Sequence, residues 1–360
     1  MSLFGKNKKE EETEETEAET EEAETEEQSD GVQTYIMEPS LQETHDLTHE
    51  ILGEVEQVVM GKRPVLDMCA VGILAGGNIL FEDNPGLAKT LLSNTFAQAL
   101  GIKFKRVQFT PDLLPADITG TFVFNVKEQE FFFRKGPIFG NVILADEINR
   151  GIPKTQSALL EAMQEYQVTV EGNTHELQKP FFVIATQNPI EMQGTYPLPE
   201  AQLDRFMFRV TMGLPSKEDE IDIINKFSTG DIFTNIDPSE IDLNKIHNEI
   251  LHNVKLSNEI REYIVELLSA TRNDSEKILL GASPRATVHL FQASKTMAAI
   301  NGRDYVTPDD VKSLLFPLLN HRLLLNPDYL IKNTDPSKPY NYDVVKKLIL
   351  EISTSASPPR

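Results

Sequence analysis

Cysteine is nearly absent from these 360 residues, with Cys69 standing alone. One thiol excludes an intramolecular disulfide and any cysteine-built metal cage, since both need more than one thiolate, so the structure must come from packing. Also missing is any run of about 18 apolar residues, the minimum for a membrane-spanning helix. The N-terminus MSLFGKNKKE lacks the apolar stretch of a secretory signal. These absences predict a cytoplasmic chain without direct membrane insertion. Positive charge is scarce as well: 34 Lys and Arg face 56 Asp and Glu, a net charge of −22 with no basic stripe. Such a chain repels phosphate backbones, which argues against nucleic acid as a partner unless an oligomer builds a local basic channel.

The acidic excess is uneven. Residues 1–31 hold 13 carboxylates against Lys6, Lys8 and Lys9, a net −10. Residues 10–28 are almost entirely Glu, Thr, Ala and Gln, with no large side chain to bury, so 1–31 reads as a disordered acidic tail. It serves as a solubilising extension or as a docking arm for a basic partner. The remainder, at 40% apolar over the whole chain, is ordinary globular composition and long enough for two modest domains.

From Leu41 a helical pattern runs through Leu47, Ile51, Val55, Val58 and Val59 and stops at Gly61. Short apolar runs then alternate with helical patterns. Residues 78–81, 104–109, 142–145, 181–186 and 206–210 read as buried strands, which with crossover helices make a parallel sheet. Residues 121–133 and 167–177, the latter turning at Glu171-Gly172-Asn173, read as inserted hairpins. After Gly213-Leu214-Pro215 only helical patterns remain. The expected layout is an α/β core over 32–213, an all-helical domain over 214–352 and a flexible tail over 353–360.

Leu80-Phe81-Glu82-Asp83-Asn84-Pro85-Gly86-Leu87-Ala88-Lys89-Thr90 follows a predicted strand and opens an amphipathic helix. That is the setting of a phosphate-binding loop: amides at a helix start point at an anion, Lys89 reaches the terminal phosphates, and the Thr90 hydroxyl ligates magnesium. The general pattern has glycine at both ends of the loop, where this chain has Asp83 and Ala88. Alanine fits there if the backbone avoids positive φ, and the Asp83 carboxylate must point away from the phosphates. Next, Val142-Ile143-Leu144-Ala145-Asp146-Glu147 is an apolar strand ending in adjacent carboxylates, a Walker B pattern. Asp146 is suited to the magnesium shell and Glu147 to deprotonating the attacking water. A third strand runs into Gln187-Asn188-Pro189, where the Asn188 amide is suited to positioning that water and also suits a plain strand-to-loop turn. His321-Arg322 reads as a cation near a helix C-terminus.

The segments 106–120, 144–167, 185–191, 194–206, 282–286 and 302–310 together resemble the MoxR family of AAA+ ATPases over about residues 41–345, and Pro85-Gly86-Leu87-Ala88-Lys89-Thr90 looks like a loop variant of that family. The resemblance implies an AAA+ P-loop αβα core with a smaller helical lid, with ATP and Mg2+ as ligands. It implies that Arg205 is an arginine finger entering a neighbouring subunit's site and that Arg285 is a sensor 2 arginine reaching the nucleotide. Val59, Met60 and Gly61 are placed beside the adenine. It further implies a homo-oligomer, most plausibly a hexameric ring, that remodels a client protein, commonly one with a von Willebrand factor A domain and sometimes a metal-cofactor enzyme. A nucleotide-sensing scaffold with little turnover and a DNA-directed motor are the competing functions; intact Lys89, Asp146, Glu147 and Arg205 argue against the first and the acidic charge against the second. The Phe131-Phe132-Phe133 cluster is expected to pack within its hairpin, or else to form an aromatic rim facing a central pore.

Overall fold

The computed structural model describes residues 38–83, 86–189, 194–229, 241–334 and 342–359. The expected acidic tail and Pro85 therefore lie outside the described residues. Helix α1 (Pro39–Val58) buries Leu41, Thr44, Thr48, Ile51, Leu52 and Val55, one face at helical spacing. Gly61, at φ 69°, turns the chain into α2 (Arg63–Leu74).

Strand β1 (Ile79–Glu82) leads into α3 (Lys89–Ala99), β2 (Phe104–Gln108) and the short α4 (Pro115–Thr119). A hairpin of β3 (Gly120–Asn125) and β4 (Glu130–Lys135) then precedes β5 (Val142–Asp146). After α5 (Pro153–Glu165), β6 (Gln167–Val170) and β7 (Asn173–Glu176) form the second hairpin. Its two-residue loop, Glu171-Gly172, has positive φ at both positions (49° and 83°), as a type I′ hairpin turn requires. Strand β8 (Phe182–Gln187), α6 (Glu200–Leu203) and β9 (Phe208–Val210) complete this half.

The main sheet is wholly parallel, in the order β2-β5-β8-β1-β9. Alternate residues of its central strands feed two cores. Phe81, Leu144 and Ile184 pack towards α1, α2 and α3, while Leu80, Ile143 and Val183 pack against Leu159, Leu160 and Met163 of α5. Burial on both faces explains why these strands read as unbroken apolar runs.

Beyond Gly213 come α7 (Lys217–Thr229), α8 (Leu243–Asn253), α9 (Asn258–Asn273), a strand β10 (Ile278–Leu280), α10 (Pro284–Ile300) and α11 (Pro308–Leu319). Strand β11 (Leu324–Leu325), α12 (Pro327–Asn333) and α13 (Tyr342–Ser355) close the chain. Three of these helices start with a capping Ser283, Thr307 or Asn326 followed by proline at the first helical position, where its missing N–H matters least. The lid is helical as expected, with one addition: β10 and β11 pair antiparallel as a small ribbon. At the C-terminus α13 continues to Ser355 and Ala356 is buried, past the expected boundary at 352. Lid helices α8 to α11 share one hydrophobic core with α1, α2 and the sheet, and Cys69 is buried within it. No helix among the described residues is long and apolar enough to cross a membrane.

Candidate nucleotide site

The C-terminal ends of β1, β5 and β8 lie side by side, so the residues that follow them converge. Lys89, Thr90, Asp146, Glu147 and Asn188 line one cavity of about 690 Å3, together with Gly86, Leu87 and Ala88. Val59 and Met60 line its far wall, facing Ile223 and Lys226 of α7. Gly61 stands just behind: a Cβ on it would lie 2.1 Å from Asp219 Oδ1, so the missing side chain is what lets α7 close against this corner.

Lys89 is largely buried and its Nζ donates to the Asp83 carbonyl at 3.0 Å. Burial pulls its pKa down, while Asp83, Asp146 and Glu147 oppose that pull. Asp83 itself lines the cavity, and its carboxylate accepts the Met212 amide. Burial pushes its pKa up, against the amides of Met212 and Gly213 and the charge of Lys89. Ala88 differs from expectation. Its φ is 54° and ψ 20°, left-handed, so the methyl is accommodated despite positive φ. For an L-residue this conformation costs roughly 1–2 kcal/mol, and here it directs the chain into the first turn of α3.

The Walker B carboxylates diverge as adjacent residues at a strand end should. Thr186, buried at the end of β8, donates its hydroxyl to Asp146 Oδ1 (2.7 Å) and accepts the Glu147 amide (2.8 Å). Asp146 Oδ2 takes Arg106 Nη2 at 2.6 Å. Glu147 sits at φ 54° and its Oε2 accepts Gln108 Nε2 at 2.9 Å, with Arg150 Nε at 3.2 Å. Asn149 donates to the Asn188 carbonyl at 3.1 Å, tying the Walker B strand to the loop after β8. For magnesium, Thr90 offers a hydroxyl and Asp146 a carboxylate at the cavity, hard oxygens that suit this ion when phosphates supply further ligands. Among the described residues no group of three or more His, Cys, Asp or Glu could cage a metal without them. The residues present fit a phosphate-borne Mg2+.

Arg106, Gln108 and Thr186 were not singled out by sequence. The available signal was Arg106 and Gln108 two apart on an edge strand, hence on one face, with Gln108 in register opposite Asp146.

The structure does not bring Arg205 or Arg285 to this cavity. Arg205 Nη1 donates to the Leu160 carbonyl. Arg285 does not reach the nucleotide cavity of its own chain as the sensor 2 resemblance implied; Nη1 pairs with Asp204 at 3.1 Å and Nη2 meets Gln164 at 3.4 Å. His321-Arg322 does follow a helix end, since α11 stops at Leu319 and Arg322 Nη1 donates to the Leu318 carbonyl, but both side chains are also buried against the turn before β9. The aromatic cluster divides. Phe133 stacks on His175 at 4.1 Å between ring centroids, while Phe131 and Phe132 are exposed on the hairpin.

Comparison with known proteins agrees with this arrangement. The model for the ATPase family associated with various cellular activities (AAA) matches residues 78–208, and that for the AAA lid domain matches 270–339. Protein YeaC of Bacillus subtilis is 45% identical over 80% of this chain and 90% of its own. Chaperone MoxR1 of Mycobacterium tuberculosis is 42% identical over 82% of this chain and 80% of its own. The crystal structure of a proposed ATPase from Cytophaga hutchinsonii, 40% identical, superposes with a TM-score of 0.81 over 89% of this chain and 97% of that one. With such relatives on both halves of the fold, the chain belongs to the MoxR family of AAA+ ATPases and is an ATP-hydrolysing enzyme.

Proposed function

We propose that this ATPase hydrolyses ATP with Mg2+ in a homo-oligomeric, most plausibly hexameric ring and uses the energy to remodel a partner protein. One observation carries the reading: the phosphate-binding lysine, both Walker B carboxylates and Asn188 share a cavity from which Arg205 and Arg285 are excluded. The one arginine that lines the described cavity, Arg106, is engaged with Asp146, which leaves an arginine from elsewhere to offset charge on the transferring group. Arg205 supplies it to a neighbour, with Arg285 acting from the same polar cluster around Asp204. Thr90 and Asp146 would hold the magnesium, which would offset phosphate charge when bound. Asn188 orients the water and Glu147 takes its proton as ATP is cleaved to ADP and phosphate.

A client carrying a von Willebrand factor A domain is the partner the family resemblance suggests. Phe131 and Phe132, exposed beside Phe124 on the β3–β4 hairpin, offer an apolar contact for it. Unchanged client remodelling by Phe132→Ala would remove the hairpin from this role.

The test is Mg2+-dependent turnover across a protein concentration series. Wild type should rise cooperatively. Glu147→Gln should bind ATP yet lose about 10²-fold or more in turnover, and Arg205→Ala about 10³-fold or more. Full activity at concentrations where gel filtration shows a monomer would defeat the ring.

A further inference from the structure

The turn from Asp204 to Met207 carries Arg205 from α6 into β9, and it is held from the lid side. Arg322, its side chain 1% exposed, donates Nε to Asp204 Oδ1 at 2.9 Å. Its Nη2 donates to the carbonyls of Asp204 (3.2 Å) and Phe206 (2.5 Å), and Nη1 to that of Met207 (3.0 Å). His321 Nε2 adds a second donor to the Phe206 carbonyl at 3.0 Å. On the other side Ser283, the N-cap of α10, donates to both Asp204 oxygens at 2.8 and 2.9 Å. Two separate lid elements thus grip the residues that flank Arg205.

A guanidinium is the side chain such a grip needs. Its planar fork presents five donors in fixed directions, so one buried group satisfies a carboxylate, three main-chain carbonyls of the turn and that of Leu318 in its own lid helix. An ammonium carries charge without that fork. Buried and fully engaged, Arg322 makes the turn move with the lid and not independently of it.

We propose that Arg322 is a positioning residue for Arg205: it fastens the finger-bearing turn to the lid of its own subunit, so the finger is presented to the neighbouring site in step with that lid. The inference rests on Arg205 acting in trans, as proposed above. Arg322 does not line the nucleotide cavity, so its loss acts on the neighbour's chemistry and leaves binding at its own site in place.

The experiment uses full-length Arg322→Lys, Arg205→Ala and Glu147→Gln proteins, alone and mixed. Arg322→Lys should bind ADP within about twofold of wild type while turnover falls about ten- to a hundredfold, the scale of a misplaced catalytic group. Mixing with Glu147→Gln subunits, silent at their own site but with an intact turn, should restore turnover to both Arg205→Ala and Arg322→Lys. Restoration of Arg205→Ala but not of Arg322→Lys, or unchanged turnover of Arg322→Lys, overturns the positioning role alone. Failure to restore Arg205→Ala removes the trans reading of that arginine and this inference with it. If circular dichroism shows Arg322→Lys unfolded, Asp204→Asn, which cuts the same grip from the other side, carries the identical test.

Discussion

Arg106 places its guanidinium on Asp146, Nη2 to Oδ2 at 2.6 Å and Nε to the same oxygen at 3.2 Å. The other carboxylate oxygen is taken by the Thr186 hydroxyl. One oxygen of the proposed magnesium ligand thus already faces a fixed positive charge, and a metal arriving with nucleotide must compete with it. Arg106→Gln should therefore increase, several-fold, the factor by which Mg2+ tightens ADP binding. Titration of fluorescent ADP with and without Mg2+ measures that factor; an unchanged ratio would show that the ion pair does not oppose the metal.

At Ala88 the left-handed backbone sets two opposite expectations. Ala88→Gly relieves roughly 1–2 kcal/mol of strain but adds about 0.4–1 kcal/mol of unfolded-chain entropy, so the melting temperature should hold or rise slightly. Ala88→Val puts a β-branched side chain where that backbone excludes it, and both stability and nucleotide affinity should drop. Equal behaviour of the two variants in thermal melts would mean that the loop leaves this conformation in solution.

The corner behind Met60 predicts a coupled pair. Gly61→Ala drives a methyl into Asp219 at positive φ and should weaken nucleotide binding by moving α7 away. Because the steric half of that effect has one named partner, adding Asp219→Ala should recover part of the affinity. Additive losses in a double-mutant cycle would mean the two residues do not meet.

Acid should destabilise the protein through its buried histidines. His289 accepts Arg322 Nη2 at Nδ1 (2.8 Å) and is therefore neutral. Burial first, then the charges of Arg322 and Arg285, pull its pKa to about 3, with Asp204 opposing. His321 is pushed well below its usual range by burial and the same arginine. The unfolded chain takes these protons near pH 6.5; in the folded chain His289 takes its proton only at about 3 and His321 only well below its usual range. Stability is thus full above pH 6.5 and declines on acidification, by about 1.4 kcal/mol per unit per histidine. Denaturant midpoints between pH 7 and 4.5 should show this fall, and His289→Gln should make it shallower; an identical slope would assign the effect elsewhere.

The strands and the phosphate loop were legible because each rests on a local rule: unbroken apolar runs for a sheet buried on both faces, and Lys89-Thr90 at a strand-to-helix turn. The Walker B pair was legible for the same reason, with Asp146 and Glu147 closing the Val142–Asp146 strand. What sequence could not reveal were partners set by register. Arg106 reaches Asp146 only because β2 lies beside β5, and nothing near residue 106 announces that neighbour. His321 and Arg322 were read only in part: Arg322 does meet the Leu318 carbonyl at its own helix end, as the local rule expects, whereas the other carbonyl partners of the pair lie more than a hundred residues earlier. The left-handed Ala88 shows a local rule outweighed, since its backbone is set by the loop around it and not by its own preference.

Cys69 matters for a different kind of experiment. Burial removes it from reagents and pushes its thiol pKa up, so it stays protonated and inert. Being the sole cysteine, it leaves the wild-type background silent to maleimide dyes. A dye pair introduced at Val265 on α9 and Val126 at the hairpin tip, both well exposed, would then report distance changes during turnover without a cysteine-free parent having to be made first.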